Sequence, residues 1–210
     1  MGKETKVAGR EERVTDTFTE VPKRIKGDGL MFEMFRYSDD EIKDILKSIV
    51  ILWDSNEKKN EHILQQFDKR GIAYKKQRLN FGDYSFYLPQ NEALGVPRDI
   101  WFDNKLTIER KASLEELSGN FTKGRANFEE ELTRKKNSMM YLMIEDGTYK
   151  DLITGNYRTN YDKKSYIATL NTYEIRFGIK TAFIPKELAA SFIYFKCYYY
   201  AREFLKNGIV

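Results

Sequence analysis

The 210-residue sequence is poor in the side chains that build disulfides and the commonest metal sites. It contains a single cysteine, Cys197, and a single histidine, His62. One cysteine excludes a disulfide within the chain, and the two counts together exclude zinc sites built from several cysteines or histidines. A metal bound by this chain must therefore be held by carboxylate oxygens, which are the ligands that Mg²⁺ and Mn²⁺ prefer.

Long apolar runs are also missing. No segment reaches the roughly 20 consecutive apolar residues that cross a bilayer, and the first residues lack the apolar stretch of a signal peptide. We therefore expect a cytoplasmic protein without a membrane partner. The net charge of +4 is too small to indicate nucleic-acid binding by itself, whereas 41% hydrophobic residues are enough for one packed core.

The chain divides into two predicted parts. Residues 1–47 form an N-terminal arm, which is mobile to about residue 30, carries an apolar patch at 31–37 and ends in a short docking helix after Ser38. Residues 48–210 form one domain, because apolar strand patterns alternate there with helical patterns.

Within the second part, continuous apolar runs at 49–53 and 139–144 are typical of buried strands. Further strand patterns lie at 72–79, 84–88, 106–108 and 179–184, and helical patterns begin at Asn60, Ser113, Ser165 and about residue 187. This alternation predicts an α/β fold in which helices cover both faces of a central mixed sheet. The last helical pattern is apolar on almost every side, so it must be buried in the core or in a subunit interface.

Acidic residues follow several of the predicted strands, namely Asp54, Glu57, Asp83 and the tripeptide Glu109-Arg110-Lys111. Two or three carboxylates that hold Mg²⁺ can neutralise a phosphate and produce a hydroxide-like nucleophile, which phosphodiester hydrolysis requires. Because side chains alternate along a strand, Glu109 and Lys111 are predicted to point to the same face. On spacing alone, however, a solvated strand end explains the tripeptide more simply.

Three motifs in this order resemble the nuclease domain of the XPF family of structure-specific DNA endonucleases. They are Val50-Ile51-Leu52-Trp53-Asp54-Ser55-Asn56-Glu57, Gly82-Asp83-Tyr84 and Ile108-Glu109-Arg110-Lys111-Ala112-Ser113-Leu114-Glu115. The resemblance covers most of residues 48–205 and implies a restriction-endonuclease-like core of the PD-(D/E)XK type. It also implies a minimal, single-domain version of the family, similar to prokaryotic or viral ones.

The catalytic set that this resemblance implies is Asp54, Glu57, Asp83, Glu109, Arg110 and Lys111. Within it, Asp83 and Glu109, with Asp54, would bind Mg²⁺ or Mn²⁺, and Lys111 would position the attacking water. Two positions depart from the family pattern, since Asn56 stands where an arginine is usual and Glu115 where an aspartate is usual. The absence of the arginine removes a charged partner for phosphate or for a neighbouring carboxylate. Glu115 is expected to lie next to the metal ligands and to act through them without binding the metal itself.

Other charged residues allow two interpretations each. Lys123, Arg125 and Arg134 are candidates for contacts with DNA phosphates, but glutamates interrupt them, so a solvated helix with i,i+4 ion pairs is the alternative. His62 is expected to be a surface residue without a chemical role. Glu145 ends a buried strand and is either a supporting acid of the site or an ordinary strand end.

The resemblance implies a Mg²⁺- or Mn²⁺-dependent endonuclease that cuts branched or flapped DNA in repair, recombination or replication, leaving 5′-phosphate and 3′-hydroxyl ends. It also implies a homodimer, or a heterodimer, that pairs through the C-terminal helical region. Two alternatives stay open: an inactive DNA-binding or scaffold paralogue that partners a nuclease, and a junction resolvase of the same superfamily. The segment between Asp83 and Glu109 looks long for the family and is predicted to be a hairpin that contacts DNA.

Overall fold

The structure is a computed structural model that describes residues 37–208. The predicted mobile arm and nearly all of the apolar patch at 31–37 lie outside the described residues. At the position predicted for the docking helix lies α1, Asp39–Leu46, which begins with a capping box between Ser38 and Glu41. Its buried side chains, Ile42, Ile45 and Leu46, pack in the same core as the C-terminal helix.

Seven strands form one mixed sheet in the described part of the chain. They are β1 Val50–Trp53, β2 Ala73–Lys76, β3 Tyr84–Leu88, β4 Ile100–Trp101, β5 Leu106–Lys111, β6 Met139–Ile144 and β7 Ile179–Phe183. Their order is β2-β1-β3-β5-β6-β7, and β4 pairs with the far end of β3. β3 runs antiparallel to its neighbours, whereas the β1–β2, β5–β6 and β6–β7 pairs are parallel.

Six more helices follow α1 in the described residues: α2 Glu61–Arg70, α3 Leu114–Phe121, α4 Arg125–Arg134, α5 Tyr149–Thr154, α6 Lys163–Phe177 and α7 Ala189–Asn207. Short 3₁₀ turns lie at Glu92–Leu94 and Lys186–Leu188. Side chains of α1, α2 and α7 form a core on one face of the sheet, and side chains of α3, α4, α5 and α6 form a second core on the other face. The predicted α/β fold, with helices on both faces of a mixed sheet, is confirmed.

Three local predictions need correction. Helix α5 has no counterpart in the prediction, because its six residues are too few to show a helical period. Helix α6 begins three residues earlier than expected, since Asp162 rather than Ser165 accepts the capping hydrogen bond. Asn60 precedes α2 as predicted, but its buried side chain makes no capping hydrogen bond.

Helix α7 is not buried on every side. Ile193, Cys197 and Ala201 lie fully in the core, but Phe195 is 51% exposed and Tyr199 is 56% exposed. The all-round apolar pattern therefore divides into a core face and a solvent-facing aromatic face. Among residues 37–208, no helix is both long and apolar enough to span a membrane.

Candidate active site

Three chain segments meet at one end of the central strands. The backbone N–H of Asp54, directly after β1, donates to the carbonyl of Asp83 (2.7 Å), whose own N–H donates to the carbonyl of Ile108 in β5 (2.9 Å). Asp83 is thus held between the ends of two strands. Gly82 makes this possible, because it adopts a φ of +71° and a Cβ atom there would lie 2.8 Å from the Cβ of Thr107. The close neighbour of this glycine is therefore strand β5 itself.

Glu109 and Lys111 share one face of β5, as predicted. The Nζ of Lys111 donates to Oε1 of Glu109 at 2.6 Å, and it also lies 5.1 Å from the ring centre of Phe128 on α4. Both side chains are buried, with 4% and 7% of their residue surface exposed. A buried charge of either sign is costly unless it is paired, so each stabilises the other's charged form.

Arg110 points to the other face but also contributes to the site through its backbone. Its N–H donates to Oδ2 of Asp83 at 2.7 Å, which fixes that carboxylate beside β5. Strand β5 therefore positions all three of its last residues around Asp83.

The carboxylates of Asp83 and Glu109 are held in an environment that disfavours two negative charges. Burial and the nearby charge of Glu109 raise the pKa of Asp83 well above its ordinary value. Burial raises the pKa of Glu109 to about 7, although the ammonium of Lys111 acts in the opposite direction. For Lys111, burial opposes the charge, but Glu109 and Asp83 outweigh it and raise the pKa of the ammonium.

A divalent cation fits this arrangement. The second oxygen of Glu109, Oε2, is buried and has no hydrogen-bond partner, so it is free to bind a metal. Two carboxylates suit Mg²⁺ or Mn²⁺, which keep several waters and bind substrate phosphates as further ligands. Within residues 37–208 no three acidic, histidine or cysteine side chains stand in a ready-made metal arrangement, so the remaining ligands would be water and phosphate.

Two glutamates near this centre were missed in the sequence. Glu131 on α4 accepts from the N–H of Gly82 (3.0 Å) and lies near enough to Glu109 to raise its pKa further. Glu116 accepts from the N–H of Ala112 (2.9 Å) and adds to the negative charge around Lys111. The sequence does hold a signal for Glu131. It follows Phe128 by three residues, and this helical spacing places it on the same face of α4 as that buried side chain, which faces the sheet.

Asp54 and Glu57 lie beside the centre, where backbone N–H groups already bind both oxygens of Asp54 and Oε1 of Glu57. The two oxygens of Asp54 accept from the N–H groups of Asn56 (3.0 Å) and Leu79 (2.8 Å), so this buried carboxylate shapes two loops. Glu57 accepts from the N–H of Lys59 (2.7 Å), and its Oε1 lies 3.6 Å from Nη1 of Arg110. The exposed Asn56 thus meets Asp54 through its backbone, not through its side chain.

Arg110 is the centre of a buried ion network. Its Nη2 donates to Oε2 of Glu145 at 2.7 Å, and Glu145 is fully buried. The other oxygen of Glu145 lies 3.0 Å from Nε2 of His62, whose side chain is 22% exposed. The prediction of a plain surface histidine is therefore wrong, and Glu145 is tied to the site through Arg110 rather than being an ordinary strand end.

Glu115 lies away from the carboxylate pair. Its Oε1 accepts from the N–H of Arg158 at 2.7 Å, and this hydrogen bond lowers its pKa. The structure instead places the next residue, Glu116, nearer to Lys111. Helical geometry explains why Glu116 rather than Glu115 lies near Lys111. Ser113 is the N-cap of α3, and successive residues of a helix point in different directions.

The candidate DNA-binding residues lie on or just before α4 and are exposed. Arg125 pairs with Glu129 and Arg134 with Glu130, each at 2.9 Å and with i,i+4 spacing. Arg134 also donates to the carbonyl of Asn80 at 3.3 Å. Both arginines are therefore in i,i+4 ion pairs on the helix surface, as the alternative interpretation predicts. Among the described residues, no ion pair includes Lys123.

Comparison with solved structures identifies a similar fold. One match is XPF from Aeropyrum pernix, at 16% sequence identity and a TM-score of 0.53. The match covers 74% of this chain and 66% of the Aeropyrum chain, so this chain spans just under two thirds of that protein's length. XPF from Aeropyrum pernix in complex with DNA matches at 16% identity and a TM-score of 0.48, covering 69% of this chain and 60% of that one. No curated protein sequence matches significantly.

The sequence also matches the model of a protein family, the ERCC4 domain, over residues 53–195. This range is more than half of the chain, and it contains Asp54, Glu57, Asp83 and the tripeptide of β5. The resemblance predicted from the motifs is confirmed, and the chain belongs to the ERCC4 domain family.

Proposed function

We propose that this protein is a Mg²⁺- or Mn²⁺-dependent endonuclease that hydrolyses phosphodiesters in branched or flapped DNA. Membership of the ERCC4 domain family, a nuclease family, supports an endonuclease, and the likeness to an archaeal XPF supports the fold. The observation that carries the proposal is the buried trio of Asp83, Glu109 and Lys111, in which one carboxylate oxygen has no partner. Repair, recombination or replication would supply such DNA.

In this mechanism Asp83 and Glu109 hold the metal. When bound, Mg²⁺ or Mn²⁺ supplies neutralising charge for the phosphate and lowers the pKa of a water that attacks phosphorus. The backbone N–H of Arg110 keeps Asp83 oriented, and the pair with Lys111 keeps Glu109 oriented. We assign Asp54 a supporting role, because both of its oxygens already bind backbone N–H groups.

Lys111 orients the attacking water and stabilises the charge that develops on the phosphate. Its ammonium is fully charged at neutral pH, since Glu109 and Asp83 raise its pKa. A positioned cation in a water-poor site stabilises a developing charge far more than it would in bulk water. Attack by water with departure of the 3′-oxygen leaves 5′-phosphate and 3′-hydroxyl ends.

Lys123, Arg125 and Arg134 are proposed to contact phosphates beside the cut. Phosphate would displace the partly buried Glu129 from Arg125 and the exposed Glu130 from Arg134, because helical i,i+4 pairs contribute only about 0.3–0.5 kcal/mol. Such contacts position DNA without reading its sequence.

The test is cleavage of end-labelled flap, fork, four-way junction and plain duplex DNA with Mg²⁺ or Mn²⁺. We expect the wild type to cut a branched substrate and Lys111→Met to cut on the order of 10²–10³-fold more slowly while it still binds that substrate. Lys180→Met is the matched control, since Lys180 also lies on a strand beside an aromatic ring but outside the site.

The outcomes separate the alternatives. Preferential cutting of four-way junctions would favour the resolvase alternative. Binding of branched DNA without cutting in either metal would overturn the proposal in favour of the inactive scaffold paralogue, which the absence of the usual arginine at Asn56 also favours.

We further propose that two copies pair through α7. Its exposed face carries Phe195 and Tyr199, whose rings lie 6.3 Å apart, flanked by the partly buried Tyr194 and Tyr198. Aromatic residues at such positions are typical anchors of protein interfaces. A heterodimer with a related chain would use the same face.

Phe195→Glu is expected to weaken this dimer by about 30-fold or more, because a charge would replace an interface anchor. Analytical ultracentrifugation of the wild type and the variant measures the change. Ile175→Glu is the control, since Ile175 is a highly exposed apolar residue on α6. A wild type that stays monomeric at micromolar concentration would contradict the pairing.

A further inference from the structure

We propose that Trp101, supported by Tyr87 and Lys75, is a stacking platform for an unpaired base of the DNA substrate. This inference rests on the proposed function, and it assigns a role to the hairpin of β3 and β4. The ring of Trp101 stacks on that of Tyr87, with centres 4.5 Å apart and planes 10° apart. Trp101 is nevertheless 39% exposed, so part of the indole is available to a ligand.

The platform lies on the same face of the sheet as the catalytic carboxylate. Tyr84 pairs with Ile108, so their side chains point to the same face of the sheet. Side chains alternate along a strand, and an odd number of residue steps separates Glu109 from Ile108 and Tyr87 from Tyr84. Glu109 and Tyr87 therefore both point to the opposite face. Trp101 pairs with Tyr87 and shares this face. Glu109 and Tyr87 are separated by about four residue steps, or about 13 Å, along the strand direction.

This separation matches the dimensions of a nucleic-acid strand. One strand of a duplex advances 3.4 Å per nucleotide, so 13 Å corresponds to about four stacked nucleotides. A strand that places its scissile phosphate at Glu109 would therefore reach Trp101 within a few nucleotides. Every base has a π-face, so stacking on an indole would not depend on base identity.

The helices leave this part of the sheet uncovered. The core on this face contains side chains of β6, β7 and the helices α3 to α6, and among the described residues it includes none from β1, β2, β3 or β4. Ala73 and Lys75 of β2 are exposed, and Val50 is only partly buried. Leu52 and Ser85, which share this face between Glu109 and Tyr87, are fully buried. The accessible surface therefore lies around Trp101, and a DNA strand from the catalytic centre would reach it over the segment that covers these two residues.

A cation also stands beside the platform. Lys75 Nζ lies 5.8 Å from the ring centre of Trp101. No ion pair within residues 37–208 includes Lys75. Lys76 alternates to the opposite face, where its Nζ lies 4.9 Å from the ring centre of Trp53. An accessible indole beside an unpaired cation is the combination that binds single-stranded nucleic acid.

A structural role for the ring pair is the competing explanation, because stacked aromatic residues on adjacent strands stabilise a hairpin. That role requires only packing on Tyr87. The substitution Trp101→Leu keeps an apolar side chain there but removes the aromatic ring, so it separates packing from base stacking.

The experiment measures binding of a 12-nucleotide oligothymidylate without metal, so it does not depend on cleavage. In the Trp53→Phe background Trp101 is the remaining tryptophan, and we expect its fluorescence to be quenched at saturation, with less quenching by a blunt duplex of equal length. Trp101→Leu is expected to weaken binding about tenfold or more, and Trp101→Phe to retain most of it. Tyr149→Ala is the control, because Tyr149 is an exposed aromatic residue on α5.

Several results would overturn the platform. Absence of single-strand binding, saturation without quenching, or unchanged affinity of a folded Trp101→Leu would each do so. If Trp101→Leu does not fold, as judged by circular dichroism, the quenching in the Trp53→Phe protein decides alone. Failure of the proposed function would show itself separately, as absence of cleavage while oligothymidylate still quenches Trp101.

Discussion

Replacement of Asp83 by Asn is expected to slow DNA cleavage by on the order of 10³-fold while the fold is retained. The amide keeps the shape of the side chain and an oxygen that can accept from the N–H of Arg110. It removes one of two carboxylates proposed to hold the metal, so the nucleophilic water and the phosphate lose their common anchor. Single-turnover cleavage of the best branched substrate measures the effect.

In the absence of metal, the Asp83→Asn protein is expected to be more stable than the wild type. Burial raises the pKa of Asp83, so between its unfolded and folded pKa values the native state binds the extra proton. The unfolding free energy contributed by this group therefore falls as pH rises through that window. Removing the charge should restore about 1 kcal/mol at pH 8, or about 2–4 °C in Tm, and little at pH 4.

Asp103→Asn is the control for both measurements, because Asp103 lies in the turn before β5 and outside the carboxylate pair. Mg²⁺ or Mn²⁺ should raise the Tm of the wild type and of this control but not that of Asp83→Asn. Equal metal-induced shifts in all three proteins would show that Asp83 does not bind the metal.

Replacement of Glu145 by Ala is expected to cost about 3–5 kcal/mol of unfolding free energy, or roughly 6–20 °C in Tm. Glu145 is the closest partner of the Arg110 guanidinium, at 2.7 Å, and both side chains are buried. Its removal leaves a buried cation with only the more distant Glu57, at 3.6 Å. Thermal and urea unfolding measure the loss.

A double substitution separates the cost of an unpaired charge from the cost of a cavity. Arg110→Met with Glu145→Leu removes both charges, and buried ion pairs can often be replaced by apolar side chains without loss, so this protein should recover most of the stability. His62→Ala, which removes only a hydrogen bond to Glu145, should cost about 1 kcal/mol. A loss below 1 kcal/mol in Glu145→Ala would mean that water replaces the carboxylate.

The sequence predicts most of the fold because its strands carry strong local signals. The run at 139–144 is apolar throughout and coincides with β6, and Gly71 and Gly178 follow the ends of α2 and α6 in the left-handed conformation that glycine favours there. Alternation along β5 also predicts correctly that Glu109 and Lys111 share a face. These features depend on residues close together in the chain, which periodicity can detect.

The rest of the candidate site depends on contacts between distant segments. His62 meets Glu145 across 83 residues, and Gly82 meets Glu131 across 49. No local pattern distinguishes these side chains from the many other charged residues of the chain. Glu115 was misplaced for a related reason, since only the docking of α3 determines that it turns toward Arg158.

The ammonium of Lys111 occupies one oxygen of Glu109 and thereby supplies a built-in counter-ion for a site that would otherwise be strongly anionic. The domain can consequently fold before any metal is acquired, in contrast to small zinc domains whose folding requires the ion. In the proposed mechanism the free carboxylate oxygens alone would bind Mg²⁺ weakly, and a DNA phosphate would complete the coordination. Metal and DNA would then each increase the affinity for the other, so the substrate would lower the metal concentration at which the nuclease is loaded.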